Sequence, residues 1–239
     1  MKRFLTNQVI NSKVVLEGVE HNHLRNVLRM QSGDEVILNC GDGYDYHAKI
    51  VNITKSSTVL EVISKQKNIY DPVRKVTVFQ ALVKSDNMSL IVQKCTELGV
   101  TDFVPFVSKF ITAKDKDGKS DKLQLISNQS TKQCKRSTPM KVSPVLTFNQ
   151  MLAKLSEYDC VIFANECEQQ YALDSDLSKF SNVAIIVGSE GGFDEDEITS
   201  ITSAGAHSIT LGKRILRAET ATISLTSVVM FLLGEWNYD

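Results

Sequence analysis

Two glycine-bearing loops near the end of the chain hold the residues with the most chemical content. The first reads G-S-E-G-G-F-D-E-D-E-I over 188–198, and the second L-G-K-R-I-L-R-A-E-T-A over 211–221. Three glycines in five residues let the backbone turn sharply and let a ligand approach the main chain. A glycine turn feeding a helix is a ready anion site. Here, however, Glu190, Asp194, Glu195, Asp196 and Glu197 crowd the first loop. Acidic residues already complement the positive end of the helix and would repel a pyrophosphate. The spacing is neither G-x-G-x-x-G nor G-x-x-x-x-G-K-[ST]. Ser189 is not in a G-x-S-x-G elbow, and no His–Asp partner is in view. The pattern fits better a cofactor of little negative charge held by backbone atoms, of which S-adenosylmethionine, with its cationic sulfonium, is one.

The elements around these loops follow from local signals. Val183–Val187 is an apolar, partly β-branched run and predicts a buried strand. Asp194 is placed as an N-cap with Glu197 completing a capping box, Phe193 and Ile198 as a staple, and Gly205 as the stop. Ser208–Leu211 predicts the next strand, and the last helix is apolar nearly all round, so it must be buried on several sides. Upstream, Val76–Val83 and Phe103–Val107 read as strands. Between them lies a helix capped by Asp86, striped by Met88, Ile91, Val92, Cys95 and Leu98, and stopped at Gly99. Strand, helix, strand of this length is a βαβ unit, so the sheet is parallel. Leu123–Arg136 and Thr147–Leu155 read as helices and Cys160–Ala164 as a strand. Gln129, Lys132, Gln133 and Arg136 line one side of the first of these helices. The lysine-rich stretch Lys109–Lys122 reads as a surface loop, either merely solvated or in contact with phosphates.

Residues 1 to about 68 differ. V-V-L-E-G-V-E, E-V-I-L-N-C, Y-H-A-K-I-V-N-I and T-V-L-E-V-I alternate like strands, with Gly33-Asp34 and Gly41-Asp42-Gly43 at the turns. His21–Met30 has Leu24, Val27 and Leu28 at helical spacing, which puts Arg25 and Arg29, four apart, on one face. The whole predicts a small β-barrel with one short helix, a shape that often binds nucleic acid without proving it.

The chain has 239 residues, 42% hydrophobic and 23% charged, with a net charge of −1. That charge hides an asymmetry: residues 1–145 carry 22 Lys and Arg against 14 Asp and Glu, while 146–239 carry 5 against 14. A basic front suits a polyanion. Five cysteines without a C-x-x-C pair predict reduced thiols in a cytoplasm. No metal-ligand spacing assembles, no apolar run is long enough to span a bilayer, and no signal peptide is expected.

G-S-E-G-G-F-D-E-D-E-I followed by L-G-K-R-I-L-R-A-E-T-A resembles the C-terminal signature of the SPOUT, or trefoil-knot, methyltransferases. More narrowly it resembles the RsmE family, which methylates N3 of a uridine in 16S ribosomal RNA. H-L-R-N-V-L-R-M-Q-S-G-D-E-V and Arg3 resemble that family's PUA-like RNA-binding domain. Q-A-L-V-K-S-D-N-M-S-L-I-V-Q-K-C-T-E-L-G-V resembles its first strand and helix, and Q-C-K-R, ending at Arg136, its Q-x-G-R. The resemblance implies an α/β fold: a PUA-like β-barrel over 1–70 and, over 71–239, a parallel-sheet SPOUT domain tied in a deep trefoil knot. It implies a homodimer, and S-adenosylmethionine at Gly188, Glu190, Gly192, Leu211, Gly212, Ile215, Leu216, Thr220 and Ala221. Arg217 is expected as the cation that favours the deprotonated base, with Glu219 either orienting it by a bidentate pair or accepting the proton. Arg3, Arg25, Arg29 and Arg136 are expected RNA contacts. Three departures stand out: Ser189 where many members have Pro, Lys213 where they have Pro or another residue, and Lys109-Phe110 where members often have Glu-Arg. Another SPOUT enzyme acting on a different base or ribose, or a non-catalytic RNA-binding module, remain the alternatives.

Overall fold

The computed structural model describes residues 1–8, 10–111, 119–168 and 176–237. Part of the lysine-rich loop expected at Lys109–Lys122, residues 112–118, therefore lies outside the described residues. The chain divides into two compact units, residues 1–71 with 128–139, and residues 72–127 with 140–239.

In the first unit, β1 (Lys2–Leu5), β2 (Lys13–Glu17), β3 (Glu35–Asn39), β4 (Tyr44–Ile53) and β5 (Ser57–Lys67) form a sheet in the order β1-β3-β4-β5-β2. It curls round one core of Phe4, Val14, Leu16, Leu24, Val36, Leu38, Ile50 and Leu60. The helix expected at His21–Met30 starts earlier, as α1 (Gly18–Asn22), and runs into a π-helical turn, His23–Val27. The wider turn shifts the phase of the side chains. Leu24 is buried but Val27 is 70% exposed. Arg29 lies beyond the helix at φ 54°, so Arg25 and Arg29 share no helical face. Segment 128–139 joins this unit through Asp71, which accepts hydrogen bonds from the backbone N–H groups of Ser137 (2.9 Å) and Thr138 (3.1 Å).

The second unit is a sheet of parallel strands buried on both faces. β6 (Lys75–Ala81), β7 (Asp102–Val107), β8 (Lys141–Val142), β10 (Cys160–Ala164), β11 (Asn182–Val187) and β12 (His207–Ile209) lie in the order β12-β10-β11-β6-β7-β8, and β9 (Leu146–Thr147) also pairs with β7. The continuous apolar runs have a two-sided reason. Val183, Ile185 and Val187 feed one core, and Ala184 and Ile186 the other. The first face is covered by α2 (Ser85–Leu98) and α6 (Ala218–Leu232), through Met88, Ile91, Val92, Cys95, Leu225 and Val229. The second meets α4 (Phe148–Lys154) and α5 (Glu195–Ser203), through Met151 and Ile201. α3 (Lys119–Gln133) starts earlier than expected and ends before Arg136.

Cap signals were read well where the partners are local. α5 has the capping box of Asp194 and Glu197 at its start and Gly205, at φ 91°, just past its end. α2 stops at left-handed Gly99. Its start differs from expectation: Lys84 is the N-cap with no side-chain bond, and Asp86 sits inside the first turn.

Candidate functional site

The carboxyl ends of β10, β11 and β12 open into a cavity of about 940 Å³. That is where open parallel sheets hold ligands. Its floor is the first glycine loop. Gly188 and Ser189 are buried, and the loop closes on itself with the Gly192 N–H donating to Ser189 O at 3.0 Å. Side chains are excluded at two points here. A Cβ on Gly188 would come within 2.9 Å of the Phe193 ring, and one on Gly192, which sits at φ 69°, within 2.9 Å of Glu166 Oε1. The second loop, from Thr210 to Arg217, lines the same cavity. α6 then begins, with Arg217 as its N-cap.

The structure brings most of the expected site residues together. Gly188, Glu190, Gly192, Leu211, Gly212, Ile215, Leu216, Arg217, Glu219 and Ala221 all line this cavity. Thr220 does not; it is exposed in the first turn of α6. The walls alternate apolar groups (Val187, Phe193, Leu211, Ala221) with four carboxylates, Glu166, Glu168, Glu190 and Glu219. The same lining carries the cations Lys84, Lys213, Arg214 and Arg217, so the cavity sets charged groups of both signs round apolar ones. Of the five acids expected to crowd the first loop, Glu190 lines the cavity and the other four do not. Asp194 and Glu197 cap α5 and bind Lys109, and the acidic turn Glu195–Glu197 does not line the cavity.

Three contacts were invisible in the sequence. Gln80, fully buried in β6, donates from Nε2 to Gly188 O at 3.0 Å and to Ala81 O at 3.1 Å, and its Oε1 accepts from the Thr222 hydroxyl. One amide thus ties the first glycine loop to α6. Its only local signal was a polar residue inside the apolar run V-T-V-F-Q-A-L. Asn87 donates to Glu219 Oε2 at 3.3 Å. Among the described residues no ion pair joins Arg217 to Glu219, so the expected bidentate pair is replaced by this bond from α2. Glu190 Oε1 accepts from the Lys84 N–H at 3.3 Å.

Two of the departures from the family pattern touch one another. Ser189 Oγ donates to Phe110 O at 3.1 Å, a bond proline could not make. The Lys109 N–H donates to Glu197 Oε1 at 2.9 Å, and its ammonium bonds Asp194. That hydrogen bond holds the Asp194 carboxyl below its usual value and raises the Lys109 ammonium. Lys109-Phe110 therefore fastens the end of β7 to the glycine loop and to α5.

The expected RNA contacts divide. Arg25 is exposed and donates to Lys55 O at 3.0 Å, and Arg29 is exposed. Arg3 is not available at the surface. Its guanidinium forks onto both Asp45 oxygens at 2.7 Å, with the two side chains 7% and 4% exposed. Burial alone would raise the Asp45 carboxyl, but hydrogen bonds from Arg3, Asn68 and Asn39 hold it below the usual carboxylate range. Arg136 is 3% exposed, with Nε 3.8 Å from Asp71. Both arginines are built into the first unit. No group of three His, Cys, Asp or Glu side chains among the described residues is placed to hold a metal ion. Among the same residues no helix is long and apolar enough to cross a membrane.

A parallel sheet with glycine loops over its carboxyl ends, preceded by a small curled sheet, defines a class. Residues 70–230 match an RNA methyltransferase domain, and residues 16–63 an RNA methyltransferase PUA domain. The chain belongs to the ribosomal RNA small subunit methyltransferase E family. It is 31% identical to the enzyme of that name from Bacillus subtilis (strain 168) over 227 residues, covering 90% of this chain and 89% of the relative. It is also 31% identical to that of Rickettsia conorii, over 93% and 91% of the two chains. The crystal structure of a ribosomal RNA small subunit methyltransferase E from Neisseria gonorrhoeae, bound to S-adenosyl methionine, superposes with a TM-score of 0.89 at 27% identity. It covers 97% of this chain and 98% of that one.

Proposed function

We propose that this chain methylates N3 of a uridine in the RNA of the small ribosomal subunit, with S-adenosylmethionine as donor. The observation that carries the reading is the single cavity walled by both glycine loops, with Arg217 exposed at its rim, in a chain of this family. Gly188, Glu190, Gly192, Leu211, Gly212, Ile215, Leu216 and Ala221 hold the cofactor. When bound, it supplies a methyl group on a cationic sulfur. N3 lies on the pairing edge of uracil, so the base enters unpaired. Its proton must leave, and charge then spreads to the flanking carbonyl oxygens. Arg217 stabilises that charge. Glu219, oriented by Asn87 rather than by Arg217, accepts the proton. Arg25 and Arg29 add charge toward RNA.

The same reading includes a trefoil knot in the second unit, a cytoplasmic site of action and a homodimer. Val228, Phe231 and Trp236 support the last: they are 39%, 61% and 51% exposed near the end of α6, and the Phe231 and Trp236 rings meet edge to face at 5.8 Å. Calorimetric titration with S-adenosylmethionine tests the cofactor. Mapping the methyl mark on rRNA from a deletion strain tests the substrate. Arg217→Ala is expected to abolish methylation while keeping the fold and cofactor binding; near-normal turnover removes Arg217 from the mechanism.

A further inference from the structure

The first unit carries a surface the catalytic reading does not use. β4 and β5 pair with Tyr44 opposite Lys67 and Tyr46 opposite Lys65. The side chains of Tyr44 and Lys67 therefore rise from one face of the ladder. Lys65 Nζ lies 3.8 Å from the centre of the Tyr44 ring, and Tyr44 is still 37% exposed. Just past β5, Tyr70 is 45% exposed, and Lys135 Nζ stands 5.4 Å from its ring centre. Lys65 also has a carboxylate near it, Asp42 at 3.6 Å. Among the described residues Lys67 and Lys135, both exposed, are in no ion pair.

Buried bonds hold this surface in place. The Asn68 N–H donates to Gly43 O at 2.9 Å, and its side-chain amide donates to Asp45 Oδ1 at 2.8 Å and to Lys135 O at 3.0 Å. Asp45 is in turn gripped by Arg3. Lys135 itself sits at φ 69°, in the left-handed region that favours glycine. From that strained backbone position the ammonium stands over the exposed Tyr70 ring. Half-exposed rings with ammonium groups beside them, Lys67 and Lys135 in no ion pair among the described residues, are what a flexible polyanion with stacking bases recognises.

We infer that Tyr44, Lys65, Lys67, Tyr70 and Lys135 form a docking surface for a single-stranded RNA segment, with bases stacking on the tyrosines and phosphates meeting the lysines. This rests on the proposed RNA substrate and names where its unpaired flank is held. Arg3 acts here as a positioning residue, through Asp45 and Asn68.

The test uses the full chain, with fluorescence anisotropy of labelled oligouridylate and of deproteinised small-subunit rRNA, and calorimetry with S-adenosylmethionine as a control. Tyr70→Ala is expected to weaken oligouridylate binding about tenfold, with Tyr70→Phe near native. The Lys67→Gln/Lys135→Gly double variant should flatten the slope of log affinity against log salt by about 0.7 for each lost phosphate contact. Lys135→Gly alone should melt no lower than the native chain, because it relieves the left-handed backbone. All variants should bind the cofactor normally. Native affinity and slope in Tyr70→Ala and in the double variant overturn the surface alone, provided the native chain binds rRNA. A native chain that binds neither RNA at low salt overturns this surface and the proposed substrate together.

Discussion

Gln80→Leu separates the cavity from the fold that supports it. The native amide is fully buried and serves Gly188 O, Ala81 O and the Thr222 hydroxyl at once. Leucine has similar bulk but no donor. The Thr222 hydroxyl falls back on Ala218 O, 2.9 Å away. The two carbonyls lose the donor that the fully buried Gln80 supplies. Each orphaned buried acceptor costs about 1–3 kcal/mol, and leucine recovers part of this by apolar burial. The net expectation is a loss of about 2–4 kcal/mol. For a chain of this size that lowers the melting midpoint by about 5–15 °C. The function should suffer beyond the stability. The Gly188 loop loses its tie to α6, so S-adenosylmethionine affinity, measured by calorimetry well below the variant's midpoint, should fall at least about tenfold. Gln80→Glu gives the matching pH readout. The buried acid is favoured when protonated, and only then can it donate to Gly188 O, so its deficit should shrink as pH falls. A Leu variant within about 0.5 kcal/mol of native stability in urea unfolding, with native cofactor affinity, would refute this reasoning.

Four further outcomes follow from particular contacts. Arg3→Ala leaves Asp45 buried without its cation and should cost about 3 kcal/mol in urea unfolding. Because the native Asp45 carboxyl is held low, its contribution is present above the ordinary carboxylate value of about 4 and is lost as pH falls through the lowered one. The gap between native chain and Arg3→Ala should therefore narrow below about pH 4, and a constant gap would contradict the assignment. Gly191→Ala places a Cβ 2.7 Å from Phe110 Cβ and 3.0 Å from Phe110 O, forcing the end of β7 away from the loop. About 1–3 kcal/mol of stability should go, with weaker cofactor binding. Cys95 is fully buried, its thiol pushed up to about 12, and should resist thiol reagents in the native state at pH 8, while exposed Cys167 at the cavity reacts first. Saturating S-adenosylmethionine should slow labelling of Cys167; an unchanged rate would place the cofactor elsewhere.

Much of the second unit was legible because its signals are local. The strand at 160–164, the capping box at Asp194 and Glu197 and the stop at Gly99 each depend on residues within a few positions. Both glycine loops and the basic front half could be read from composition and spacing. The sequence alone determined that these loops follow strands and precede helices, while the individual lining residues were expected from the family resemblance. What it could not reveal depends on which distant groups the folded sheet brings together. Gln80 meets Thr222 across 142 positions, Asn87 meets Glu219 across 132, and Lys109 meets Asp194 across 85. Charge pairing illustrates the limit. A bidentate pair with Arg217 was one of two roles expected for Glu219, but α2 supplies Asn87 to the glutamate instead. Arg3 looked like a surface cation, yet the pairing of β1, β3 and β4 buries it on Asp45. A π turn displaced Arg29 from the face shared in sequence. Caps and periodicity act within one turn of chain, whereas the partner of a polar side chain is set by strand order and register, and only the tertiary structure decides those.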